Sequence, residues 1–132
     1  MEKVETTINF EPATLKAYSR NEAYMTVTVT NMGEDAIYWC ELEVHVSLPL
    51  SLAPDTEMTK AKTRMGILTK GKPLTKKLKL FTRPNNFPDL YKVALTTYFY
   101  GEDGVIAERR DLKGEISCLA PTAKQAEPRK PK

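Results

Sequence analysis

The strongest constraint in this sequence is an alternation of apolar and polar residues, period two, that recurs from near its start to Cys118. Tyr24-Met-Thr-Val-Thr-Val-Thr30 carries it most plainly, with Met25, Val27 and Val29 on one side and β-branched threonines on the other. Successive side chains of a strand point to opposite faces, so such a run buries one face and leaves the other to water. From Ile37 to Leu48, Tyr38, Cys40, Leu42, Val44, Val46 and Leu48 fall on one side, and Trp39, Glu41, Glu43, His45 and Ser47 on the other. Leu74 to Phe81 places Leu74, Leu78 and Leu80 inward with Lys77 and Lys79 outward. Leu90 to Tyr100 gathers Tyr91, Val93, Leu95, Thr97 and Phe99 on one side. Val105 to Cys118 returns with Leu112, Ile116 and Cys118 inward, and its alternation slips around Glu108 to Arg110, which predicts a bulge. Thr6 to Phe10, with Leu15 and Tyr18, reads as a first strand interrupted at Pro12. Residues 55–73 are less regular, with Met65, Ile67 and Leu68 as the expected buried anchors.

Turn signals separate these runs: Asn31-Met-Gly-Glu-Asp35, Pro49 and Pro54, Pro84-Asn-Asn-Phe-Pro88, and the hairpin Gly101-Glu-Asp-Gly104. No segment carries a 3.6-residue period. About seven short antiparallel strands with frequent turns define an all-β chain, two sheets forming a sandwich. At 132 residues the chain is one domain's worth, large enough to fold without a disulfide or metal. We expect the folded domain over 1–118 and, over 119–132, a solvated basic tail in which Pro121, Pro128 and Pro131 alternate with charges. No apolar run approaches the length of a membrane-spanning helix, and Met1 to Glu5 has no basic-then-apolar pattern. The expectation is a cytoplasmic protein.

Ile8-Asn-Phe-Glu-Pro12, the strand Ala23 to Thr30 and Asn31-x-Gly33 resemble the start of many immunoglobulin-like modules, most of all the archaeal and bacterial CARDB and NEW3 modules. Pro88-Asp-Leu-Tyr-Lys-Val93 resembles the tyrosine corner of such sandwiches, where a Tyr opening the sixth strand bonds back to the preceding corner. More loosely, the pattern is similar to major sperm protein and PapD-like domains and to the arrestin fold. The resemblance spans residues 4–118 and implies a fold, not an activity. Trp39 departs from it. In antibody-type domains the corresponding Trp is buried against a disulfide, whereas here its parity places it opposite Leu42 and Val44. In a piece of a larger secreted protein, the resemblance would imply an extracellular adhesion or spacer module.

The two cysteines, Cys40 and Cys118, fit this arrangement as free thiols. Their strands both flank Leu90–Tyr100 and run antiparallel to it, so the two residues lie at opposite ends of the sheet, beyond the roughly 7 Å that a disulfide spans. Free thiols suit a reducing compartment.

Little in the chain points to catalysis. The single histidine, His45, faces solvent in mid-strand and differs in parity from Cys40. No CxxC or Cys/His cluster points to a metal, and no Gly-rich loop to a phosphate cofactor. The carboxylate pairs Glu34-Asp35 and Glu102-Asp103 sit in turns, where backbone geometry explains them. We therefore expect no catalytic residue, metal or cofactor.

Two surface features remain. Trp39 faces out near the start of its strand, and Tyr98 and Tyr100 near the end of theirs. Antiparallel pairing brings these ends together beside the Gly101–Gly104 hairpin. Their cluster reads as a docking surface for a protein partner or a second copy, or as cross-strand aromatic pairing that stabilises the sheet. The second feature is charge. Residues 1–57 hold ten acids and three bases, net −7, whereas no acid lies between Glu57 and Asp89. There Lys60, Lys62, Arg64, Lys70, Lys72, Lys76, Lys77, Lys79 and Arg83 make a +9 stretch. It reads as a polyanion-binding segment for nucleic acid or an anionic surface, or as basic strands neutralised by acidic neighbours. Lys60 to Leu80 contains no aromatic residue to stack on bases. The expected role is a protein-interaction module, with polyanion binding as the alternative.

Overall fold

A computed structural model describes residues 4–32 and 37–120. Among these, eight strands and no helix form two sheets: β1 (Val4–Glu11), β2 (Thr14–Lys16), β3 (Asn21–Asn31), β4 (Tyr38–Val46), β5 (Lys60–Leu68), β6 (Leu74–Thr82), β7 (Asp89–Tyr100) and β8 (Ile106–Leu119). One sheet has the order β1-β3-β6, the other β2-β8-β7-β4-β5. The expected all-β architecture in two sheets stands, with three corrections.

There are eight strands rather than about seven. The N-terminal run is two strands in different sheets. β1 pairs with β3, and past Pro12 the chain crosses to β2, which lies parallel to the end of β8 at Leu15↔Cys118. The ladder is therefore not wholly antiparallel. Residues 60–68, within the segment read as irregular, form a full strand on the edge of the larger sheet. There Leu68 is buried and Met65 partly so, but Ile67, expected inside, is 56% exposed.

The inward positions of both sheets meet in one core. Met25 and Val27 of β3 and Leu80 of β6 lie against Leu42 and Val44 of β4 and Tyr91, Val93 and Leu95 of β7. A second cluster of Val4, Val29, Tyr38, Cys40, Leu68 and Phe99 closes one end, and Met65 bridges the two. At the opposite end, buried Asn86 accepts from Tyr18 N at 2.8 Å and donates to Thr82 Oγ1 at 3.0 Å and to the Ser19 and Arg83 carbonyls. This amide ties the β2–β3 crossing to the β6–β7 turn. Beside it, the Tyr91 hydroxyl donates to the Phe87 carbonyl and accepts from Phe87 N at 3.0 Å.

Cys40 and Cys118 are both free and buried, at opposite ends of β7: Cys40 opposes Phe99 and Cys118 opposes Asp89. The domain boundary expected at residue 118 falls one residue inside β8, since Leu119 still pairs with Lys16. The rest of the tail from residue 121, and Gly33, Glu34 and Asp35 of the expected turn, lie outside the described residues.

Candidate interaction face

The outer face of the larger sheet is built in transverse rows, because paired residues of adjacent strands project to the same side. At one end stands Ile67–Trp39–Tyr100–Ile106, running across β5, β4, β7 and β8. The next row is Arg64–Glu41–Tyr98–Arg109, then Lys62–Glu43–Thr96–Asp111, then Lys60–His45–Ala94–Lys113. The second and third rows are polar and mixed in sign, and the fourth is polar with only basic charges. The first is apolar and aromatic.

Two bulges make it so. On β5, Cys40 opposes Gly66 but Glu41 opposes Arg64, so Met65 is an extra residue. Without it, Ile67 would share the inward parity of Thr63 and Ala61. With it, Ile67 turns outward beside Trp39. Gly66 has φ 125°, which L side chains rarely adopt, so the glycine permits the kink. On β8, Tyr100 opposes Ile106 but Phe99 opposes Glu108, so Ala107 is extra and Ile106, 50% exposed, comes to the outer face. The slip anticipated around Glu108 to Arg110 thus lies at Ala107. Sequence reasoning found Trp39 and Tyr100 and missed Ile67 and Ile106. The signal for Ile67 was present, since a glycine inside a strand pattern, followed by two adjacent apolar residues, marks a bulge.

The three predicted aromatics lie on the outer face in two adjacent rows. Trp39 and Tyr100 are directly opposed, whereas Tyr98 lies one row inward. All three are half-buried by polar neighbours. Arg64 Cζ stands 5.8 Å from the Trp39 ring centre, and Lys62 Nζ 5.4 Å from that of Tyr98. The Tyr100 hydroxyl donates to Glu41 at 3.3 Å and the Tyr98 hydroxyl to Glu43 at 2.9 Å. This last bond, then that from His45, holds the Glu43 carboxyl below the usual carboxylate range, and the same bond raises the Tyr98 phenol. Asp111 is likewise lowered, first by the 2.9 Å bond from Thr96 Oγ1. Beyond the apolar row the hairpin closes through Gly104 N to Gly101 O at 3.0 Å, and exposed Glu102 borders a shallow pocket with Trp39 and Tyr100.

The basic stretch does not form one surface. Lys60, Lys62 and Arg64 lie on the outer face of β5, with Lys62 and Arg64 in register with Glu43 and Glu41. Lys77 and Lys79 project from the opposite side of the molecule, over Tyr24 at 4.7 and 5.5 Å, and Lys79 pairs with Glu22 at 3.4 Å. Glu22 pushes the Lys79 ammonium up. Lys70 and Lys72 lie in the β5–β6 turn, and Arg83 donates to the Asp55 carbonyl. Only Lys62, Arg64 and Lys76 converge, in a groove shared with Glu41 where the edge strands β5 and β6 meet.

His45 lies 3.3 Å from Glu43, with half its side chain exposed. Cys40 lies on the other side of the sheet, and burial pushes its thiol up to about 12. Among the described residues, no group of three or more His, Cys, Asp or Glu gathers as a metal site, and no helix is long and apolar enough to cross a membrane.

No family model and no curated protein matches this sequence. Several solved structures share a distant likeness, among them the following three. Spo0M, a sporulation control protein of Bacillus subtilis, is 13% identical over 91% of this chain, with a TM-score of 0.44. The chain spans 50% of the length of that protein. AvmM, described as catalysing macrocyclization in alchivemycin A biosynthesis, is 11% identical over 92% of each chain, with a TM-score of 0.49. The putative ApaA protein of Bordetella pertussis is 16% identical over 89% of this chain and 92% of its own, with a TM-score of 0.47. None of the three is a CARDB or NEW3 module.

Proposed function

We propose that this chain is a non-enzymatic, immunoglobulin-like interaction module that docks a protein surface on the outer face of its five-stranded sheet. The observation that carries this reading is the row Ile67–Trp39–Tyr100–Ile106. Scattered exposed apolar residues are ordinary. Here two exposed aliphatics flank a Trp and a Tyr in one line, with Arg64 beside the Trp, and this is the composition of an interface hot spot. The immunoglobulin-like assignment rests on the two sheets around one core and on the Tyr91 hydroxyl bonding back to the Phe87 corner. The non-enzymatic reading rests on His45 and Cys40 lying on opposite sides of β4, with the Cys40 thiol held protonated. The two buried free thiols favour a reducing compartment, hence the cytoplasm.

The groove of Lys62, Arg64 and Lys76 supports a second reading, polyanion binding. Affinity capture of the tagged full chain from its source-cell lysate, with and without nuclease, separates the two. The docking reading predicts a protein partner, or untagged copies of the chain, that persists after nuclease and is lost with Trp39→Ala and Ile67→Glu. If all that is captured leaves with nuclease, or between about 50 and 200 mM salt, the basic edge is the functional surface.

A further inference from the structure

We propose that the occupant of this face is a second copy of the same chain, related by a two-fold axis that lies along the apolar row. The inference rests on the docking reading above and adds the partner and its geometry. An isologous contact must be self-complementary. With the axis along Ile67–Trp39–Tyr100–Ile106, each row residue meets its own copy, and whatever lies on one side of the row falls on the opposite side of the partner's row. The two sides are opposite in charge along the β7–β8 columns. On the sheet side stands Arg109, opposite Tyr98. Its guanidinium is well exposed, with a 3.4 Å contact to Asp111. On the far side, in the hairpin joining the same two strands, stands exposed Glu102 beside Trp39 and Tyr100. The rotation therefore sets Arg109 against the partner's Glu102, twice, on either side of an apolar seam. Three inter-strand gaps of about 4.8 Å make that seam about 14 Å wide. Arg64, over the Trp39 ring, flanks it on the β5 side.

Sedimentation equilibrium of the purified full chain tests the proposal, with circular dichroism confirming that each variant is folded. The expected result is a concentration-dependent dimer. Arg109→Glu and Glu102→Arg each weaken it about tenfold or more, because each sets like charges together, and the double variant recovers it because the pair is re-formed with its signs exchanged. Recovery in the double variant cannot come from impaired folding of the singles. The proposal is overturned by a monomer at all concentrations up to about 100 µM, or by a dimer indifferent to the single exchanges, or by failure of the double variant to recover. The docking reading is tested apart from it. A monomer that still captures another protein in an Ile67-dependent way overturns the second copy alone, whereas a monomer that captures nothing through the row overturns both.

Discussion

Tyr98 and Glu43 were legible as outward residues of neighbouring strands, but not as a bonded pair. The cross-strand register that sets the phenol 2.9 Å from the carboxylate is a property of the sheet. The bond gives the surface a defined pH response. Glu43 is lowered, so its contribution to stability is present above its unfolded pKa and is lost as pH falls through the folded one. Tyr98 is raised, so its contribution is present below its unfolded pKa and is lost as pH rises through the folded one. Tyr98→Phe should therefore lower the melting temperature near neutrality. Its deficit against the wild type should shrink in acid, where Glu43 protonates, and in alkali, where Tyr98 ionises. Thermal melts across pH check this. At the same scale, burial raises both thiols, Cys40 to about 12. Neither should react with a thiol reagent at pH 8 in the native protein on a timescale of minutes, whereas both should react once denatured.

Strand existence was the most legible feature at the level of elements, since period-two patterns identified β3, β4, β6, β7 and β8 with their buried faces, except that Leu48 lies exposed past the end of β4 at Val46. Alternation conveyed the interruption of β8, as a slip near Glu108, but not that of β5. A bulge adds one residue and reverses parity beyond it, so Ile67, expected inside as an apolar anchor of an irregular segment, faces outward. β2 escaped for another reason. Three residues are too few to show a period, and the parallel pairing of Leu15 with Cys118 is set by the tertiary crossing. Gly66 tests the β5 bulge. A Cβ there would meet only Leu74 at 3.6 Å, so the cost of Gly66→Ala lies in the backbone at φ 125°. Chemical denaturation should show a loss of about 1–3 kcal/mol.

For the whole molecule, the charge asymmetry of the sequence is largely reorganised by folding. The +9 stretch is divided between the edges of two sheets, and part of it meets the acids of residues 1–57 across β4–β5 and β3–β6. The candidate site was half visible in sequence, through Trp39 and Tyr100, because long-range register and two bulges supply the other half. Stability rests on the shared core, so Leu42→Ala, in its fully buried centre, should cost about 2–5 kcal/mol in equilibrium unfolding. The proposed docking rests on the outer row, and the only tryptophan of the chain lies within it. The most direct test is therefore the emission and acrylamide quenching of Trp39 as the protein is diluted from about 100 µM to about 0.1 µM. If the row seats a second copy, dilution red-shifts the emission and raises quenching in the wild type, while Ile67→Glu shows the dilute spectrum throughout. A wild-type spectrum and quenching that do not change with concentration, and that match those of Ile67→Glu, would contradict it.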